Sequence, residues 1–171
     1  MKSLSTKILK NLTPLIGLRL SAARRAATMR VFHFGEILEV DDGSVGEFAL
    51  RIQCSWRLEY LQKIVTGSSD LWRPSKRKKG FDWDTWDYHK DGNVQDERLL
   101  KTLAGYDLKT ESSINQTENL IVEKIEADDI GGAIISLSGD FKLVLFPNGT
   151  SREHWRFFRP RVDKRHFVVE N

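Results

Sequence analysis

Between Phe48 and Trp56 every second residue is apolar. Phe48, Leu50, Ile52, Cys54 and Trp56 alternate with the polar neighbours Arg51, Gln53, Ser55 and Arg57. A period of two belongs to a β-strand with one buried and one open face, so a second apolar layer must cover it. The chain has material for that layer: 171 residues, 40% of them hydrophobic, with nine Phe and five Trp. That length suits one domain. The aromatic content excludes a disordered chain. No apolar run approaches the roughly 20 residues that cross a bilayer. Cys54 is the single cysteine, so an intrachain disulfide and a cysteine-rich zinc site are excluded.

Other strands read in the same way. Val31–Phe34, before Gly35, is the expected partner of the 48–56 strand, and Leu58–Thr66 continues or pairs next. Ala133–Ser138 is apolar and β-branched, and Gly139-Asp140 supplies a tight hairpin turn into the strand of Phe141, Leu143 and Leu145. The main helix is expected near 94–104, with Leu99, Leu100 and Leu103 at helical spacing, Asn93 as its cap and Gly105 as its stop. Residues 3–12 and 19–28 read as short helices, and 73–93 and 105–118 as loops. The expected fold class is therefore α+β, mainly antiparallel sheet in two β-rich halves with one main helix. The whole chain, 1–171, forms one domain with its core in about 15–160. Residues 1–14 and 159–171 are expected at the periphery.

The two halves echo each other. Gly46-Glu47-Phe48-Ala49-Leu50 precedes Trp56-Arg57, and Gly139-Asp140-Phe141-Lys142-Leu143 precedes Trp155-Arg156. Duplication and shared hairpin chemistry both produce such an echo. It starts the first β unit near residue 15. That bears on Met1–Arg30, which is basic, contains Ser, lacks acids and so has the composition of a mitochondrial transit peptide. Removing it would uncover the apolar face of the 48–56 strand, so Leu15–Gly35 is assigned to the fold.

The order of several segments resembles a known group. Arg25-Ala26-Ala27-Thr28-Met29, Phe32-His33-Phe34-Gly35, Gly46–Leu50, Gln53–Arg57, Gly67-Ser68-Ser69-Asp70-Leu71 and Trp155-Arg156-Phe157-Phe158 carry the resemblance. Together they look like a group of small bacterial hypothetical proteins, over roughly residues 15–160. More loosely, the chain is similar to immunity proteins encoded beside bacterial toxins. The resemblance implies a bacterial cytoplasmic protein and a protein partner. It carries no catalytic signature, and the basic segment 73–80 and the tail 159–171 fall outside it.

Charge is distributed in blocks. Residues 1–35 hold seven Lys/Arg and no acid; 61–80 balance to +5, largely from Lys76, Arg77, Lys78 and Lys79; 81–100 and 101–129 each balance to −4. The net +3 is the remainder of these blocks, whereas nucleic-acid binders more often carry one sustained basic surface. A nucleic-acid reading through 73–81 rests on the Lys76–Lys79 run and the aromatics near it.

Few residues point to catalysis. His33, His89, His154 and His166 contain no i, i+4 pair for a zinc-binding helix. Against a calcium loop starting at Asp87, Asp91 and Gly92 fit positions five and six. His89 and Arg98 then stand where oxygen ligands are required. There is no phosphate-binding glycine loop and no serine elbow. A metal-assisted hydrolase would have to use Asp82, Asp84, Asp87 and His89 of the acidic 82–97 segment. The expected function is instead non-enzymatic protein binding, without a cofactor or metal. An immunity-type inhibitor would cover a basic partner surface with a polar sheet face and the 82–97 segment. The residues expected to contact the partner are Arg57, Asp70, Asp82, Asp84, Asp87 and Arg156.

Overall fold

The computed structural model describes residues 2–150 and 153–170. It is an α+β fold dominated by two antiparallel sheets. Helix α1 (Leu4–Leu12) comes first, followed by β1 (Leu20–Ala26), β2 (Met29–Val40), β3 (Gly43–Ile52), β4 (Ser55–Tyr60) and β5 (Lys63–Gly67). A 3-10 turn, Ser68–Trp72, and a long irregular segment lead to helix α2 (Val94–Leu103). The remaining strands are β6 (Ala104–Asp107), β7 (Ser112–Asn115), β8 (Val122–Ala127), β9 (Ala133–Leu137), β10 (Phe141–Phe146), β11 (Glu153–Phe158) and β12 (Phe167–Glu170). One sheet runs β12-β11-β3-β2-β1-β7-β6, and the other β5-β4-β10-β9-β8.

The 48–56 alternation is real, but it serves two sheets. β3 ends at Ile52, and the N–H groups of Gln53 and Cys54 both donate to the carbonyl of His154 at 2.9 Å. The chain then crosses, and Ser55 opens β4 in the smaller sheet. Cys54 therefore sits half-buried at a corner, where alternation had put it on a buried strand face.

The second half crosses back, since β10 belongs to the smaller sheet and β11 to the larger. Each Trp-Arg pair consequently lies beside the strand that carries the echo motif of the other half. Trp56 and Arg57 register with Leu145 and Val144, and Trp155 and Arg156 with Ile52 and Arg51. Neither half could bury its apolar face alone.

The core lies between the sheets. Phe32, Phe34, Leu50, Ile52 and Trp155 face Trp56, Leu58, Ile135, Leu143 and Leu145 in one buried cluster. The rings of Phe32 and Trp56 meet edge to face at 5.2 Å across the interface, a preferred aromatic geometry. Trp155 satisfies its indole N–H on the Gly131 carbonyl at 2.8 Å. The ends are closed by helices: α1 buries Ile8 and Leu12, and α2 buries Leu99 and Leu103. Segments expected at the periphery thus reach the core, as does Val169 of β12.

Three local expectations are corrected. Residues 20–26 form β1, although Ala and Arg favour helix, because the segment pairs on both sides with β2 and β7. The 105–118 region contains β6 and β7. The stop of α2 is Ala104, which takes the left-handed conformation (φ 62°), and Gly105 is already in β6.

Candidate functional site

The inner face of the larger sheet is apolar until it reaches the β1–β2 turn. There, two residues beyond the Ala23–Phe32 pair, it presents Arg25 opposite Arg30. The turn is short, Ala27-Thr28, with Ala27 at φ 53°, as two-residue hairpins require. The first turn of α2 packs over these arginines. Asn93 starts the helix by accepting the N–H of Asp96 at 2.8 Å, and its amide donates to the Asp96 carboxylate and to the Tyr88 carbonyl, each at 2.8 Å. Gln95, Leu99 and Leu103 follow at i, i+4 spacing on the buried face of α2.

Asp96 contacts both guanidinium groups: Arg30 Nη2 at 2.6 Å and Arg25 Nη2 at 3.2 Å. Arg30 Nε also donates to Gln95 Oε1 at 3.0 Å. Gln95 passes the connection on, its amide donating to the Gly67 carbonyl at 2.9 Å. Burial tends to raise Asp96, but the charge and hydrogen bond of Arg30, the Asn93 amide and Arg25 more than offset it. The carboxyl is left below the ordinary value. Arg30 is pulled down, first by burial and further by Arg25, with Asp96 opposing.

The 73–93 segment covers this cluster. It is closed at its base by the Val94 N–H on the Arg73 carbonyl, 2.8 Å. Its carboxylates organise its own backbone. Asp82 accepts the N–H of Asp84, Asp87 those of His89 and Lys90, and Asp91 that of Asp87. The N–H groups of His89 and Lys90 hold the Asp87 carboxyl below the usual range.

Its aromatics pack on one another. Phe81 and Trp83 meet at 5.0 Å, Trp83 and Trp86 at 6.0 Å, and the Arg77 guanidinium lies 4.9 Å from the Trp83 ring. Trp72 meets Tyr88 at 5.1 Å. Trp83 and Trp72 each remain 54% exposed. Between the segment, β1 and α2 lies a cleft of about 1100 Å³ reaching Arg25 and Arg30.

The six expected contact residues fall into three places. Arg57 and Asp70 line a second cleft, of about 620 Å³, beside β5. They make no ion pair with each other: Arg57 binds Glu59 at 2.5 Å, and Asp70 binds Arg73 at 2.9 Å. Asp82, Asp84 and Asp87 share the 73–93 segment. Arg156 stands apart on the larger sheet, paired with Glu153. Among the described residues, no three His, Cys, Asp or Glu side chains converge to hold a metal ion.

Sequence reasoning missed Arg25, Arg30, Gln95 and Asp96. The signal for the arginines was their symmetry about Ala27-Thr28, which is visible only once 20–26 is read as a strand. Also missed was the fold-back of the β2–β3 hairpin. A bulge between Phe34 and Ile37 holds Gly35 (φ 80°), where any side chain would run into Glu47, and beyond it Ser44 of the hairpin accepts from Arg24 of β1 at 2.8 Å. Beneath it, His33 is 4% exposed and accepts the Gly46 N–H on Nδ1 at 2.9 Å. Burial, aided by Arg24, brings His33 down to about 4.

No family model, curated protein or solved structure matches this chain. Among the described residues, no helix is long and apolar enough to cross a membrane.

Proposed function

We propose that this chain is a non-enzymatic protein-binding domain, and more specifically an immunity-type inhibitor acting in a bacterial cytoplasm. The observation that carries the reading is the surface formed by the 73–93 segment and by Trp72, which ends the 3-10 turn just before it. Trp72 and Trp83 are half exposed, each held by ring contacts, and Arg77 stacks on Trp83. Trp, Tyr and Arg are the residues that dominate binding energy at protein interfaces. A ring already fixed by its neighbours loses little freedom on docking. Asp82 and Asp84 beside the tryptophans fit a basic rim on the partner. Their charge would speed encounter more than it tightened the complex.

The mechanism is occlusion: the segment covers the partner's working surface and performs no chemistry. The resemblance of the ordered motifs to small bacterial proteins and, loosely, to immunity proteins supports the same reading.

The test is a binding titration against toxins encoded beside this gene, with wild type and with Trp83→Ala. A nanomolar complex weakened by about tenfold or more in Trp83→Ala is expected. Absence of any saturable complex would refute the reading.

A further inference from the structure

Arg25 and Arg30 are direct cross-strand partners, a placement in which like charges repel. One carboxylate, that of Asp96, contacts both. The group therefore holds more positive than negative charge, largely out of solvent, with the Arg30 side chain 4% exposed and that of Arg25 13%.

Arg25 has donors to spare. Its Nη2 meets Asp96 and His89 Nδ1, while Nη1 reaches the Ala27 carbonyl only at 3.4 Å. Nε is buried without an acceptor. Buried charged donors without acceptors are uncommon and costly. The Arg25 side chain lines a cleft large enough for a small molecule.

Lys76 and Lys78 stand on the cleft wall, as do the acids Asp87, Asp91, Glu97 and Glu111. Two of those acids are already engaged: Asp87 accepts the N–H groups of His89 and Lys90, and Asp91 that of Asp87. The basic run that composition marked as a nucleic-acid patch thus contributes two of its lysines to the lining of the cleft that reaches Arg25.

We propose that this cleft binds an oxyanion, a carboxylate or phosphoryl group, on Arg25, with Lys76 and Lys78 flanking it. The Tyr88 ring, 5.2 Å from the Arg25 guanidinium carbon, covers that group and turns aside as the anion enters. Arg30 and Gln95 keep the floor fixed, Arg30 through Gln95 and Asp96 and Gln95 through the Gly67 carbonyl. A free small-molecule anion and a partner's acidic side chain share this chemistry. The site goes beyond the protein-binding reading and stands without it.

The experiment follows the Arg25 Nε–H resonance of the full chain by NMR at low ionic strength. The titrants are inorganic phosphate, succinate and a capped glutamate dipeptide, with sodium chloride as the control. A saturable shift with at least one oxyanion, absent with chloride, is expected. Response to phosphate or succinate assigns a small-molecule source, and response to the dipeptide alone assigns a protein side chain.

Arg25→Lys keeps the charge and loses the planar donor set. Followed through backbone amides of residues 86–90, it should weaken binding by about tenfold or more. Asp96→Asn removes the internal competitor and should tighten binding several-fold. No saturable shift with any of the three, or affinity unchanged in both variants, would overturn the proposal. A folded near-ultraviolet signal from the tryptophans qualifies each variant for the comparison.

Discussion

Arg25 and Arg30 stand directly opposite each other across β1 and β2, and the only carboxylate in contact with both, among the described residues, is Asp96 in the first turn of α2. This ties the sheet to the helix electrostatically where the apolar core ends. Asp96 also completes the cap of α2 through Asn93.

Asp96→Asn should therefore destabilise the fold by about 1–3 kcal/mol. A broken buried pair costs more, but Asp96 is 37% exposed and solvent screens part of the charge. The Asp96 carboxyl is depressed in the folded state. Its contribution is present above the unfolded carboxylate value of about 4 and is lost as pH falls through the folded value. Urea denaturation should show the difference between wild type and Asp96→Asn at pH 7 and its shrinkage below about pH 4. A pH-independent difference would contradict the assignment.

His33 predicts a separate acid transition. Unfolded histidine takes its proton near 6.5, whereas folded His33 waits until about 4. Stability from this group is full above pH 6.5 and falls as pH drops through the window to about 4, by about 3 kcal/mol. His33→Gln keeps an acceptor for the Gly46 N–H and should flatten stability over that window. Equal slopes in both proteins would contradict it.

Cys54 should be a poor nucleophile. Burial pushes its thiol up to about 11, opposed in part by backbone hydrogen bonds. Its thiolate fraction at pH 7 is then on the order of 10²-fold below that of a free cysteine. Disulfide-exchange labelling of the folded chain should be slower than in urea by a comparable factor. Equal rates would show the corner at Gln53-Cys54 to be open.

The fold class was legible where side chains alternate, in 48–56 and 133–145, and where Asn93 caps a helix with leucines at spacing. It was illegible where tertiary pairing overrides local preference. Leu20–Ala26 is Ala- and Arg-rich yet lies between β2 and β7. Ser112–Asn115 is too short and polar to alternate, but it pairs with β6 and β1. The crossing at Gln53-Cys54 leaves the apolar period unbroken, so the sequence has no mark of it.

The site divides in the same way. The acidic and aromatic content of 73–93 can be read directly. The Arg25–Asp96–Arg30 cluster joins residues more than 60 positions apart, and no spacing rule reaches that far.

As proposed above, the 73–93 surface, with the half-exposed Trp83 on it, is what this chain presents to a partner. It is tested most directly by the dissociation constant of wild type and Trp83→Ala for toxins encoded beside the gene. A nanomolar wild-type complex is expected, with about a tenfold or greater loss in Trp83→Ala and the thermal midpoint nearly unchanged because the ring is half exposed. A nanomolar complex indifferent to Trp83→Ala, or no saturable complex at all, would contradict it.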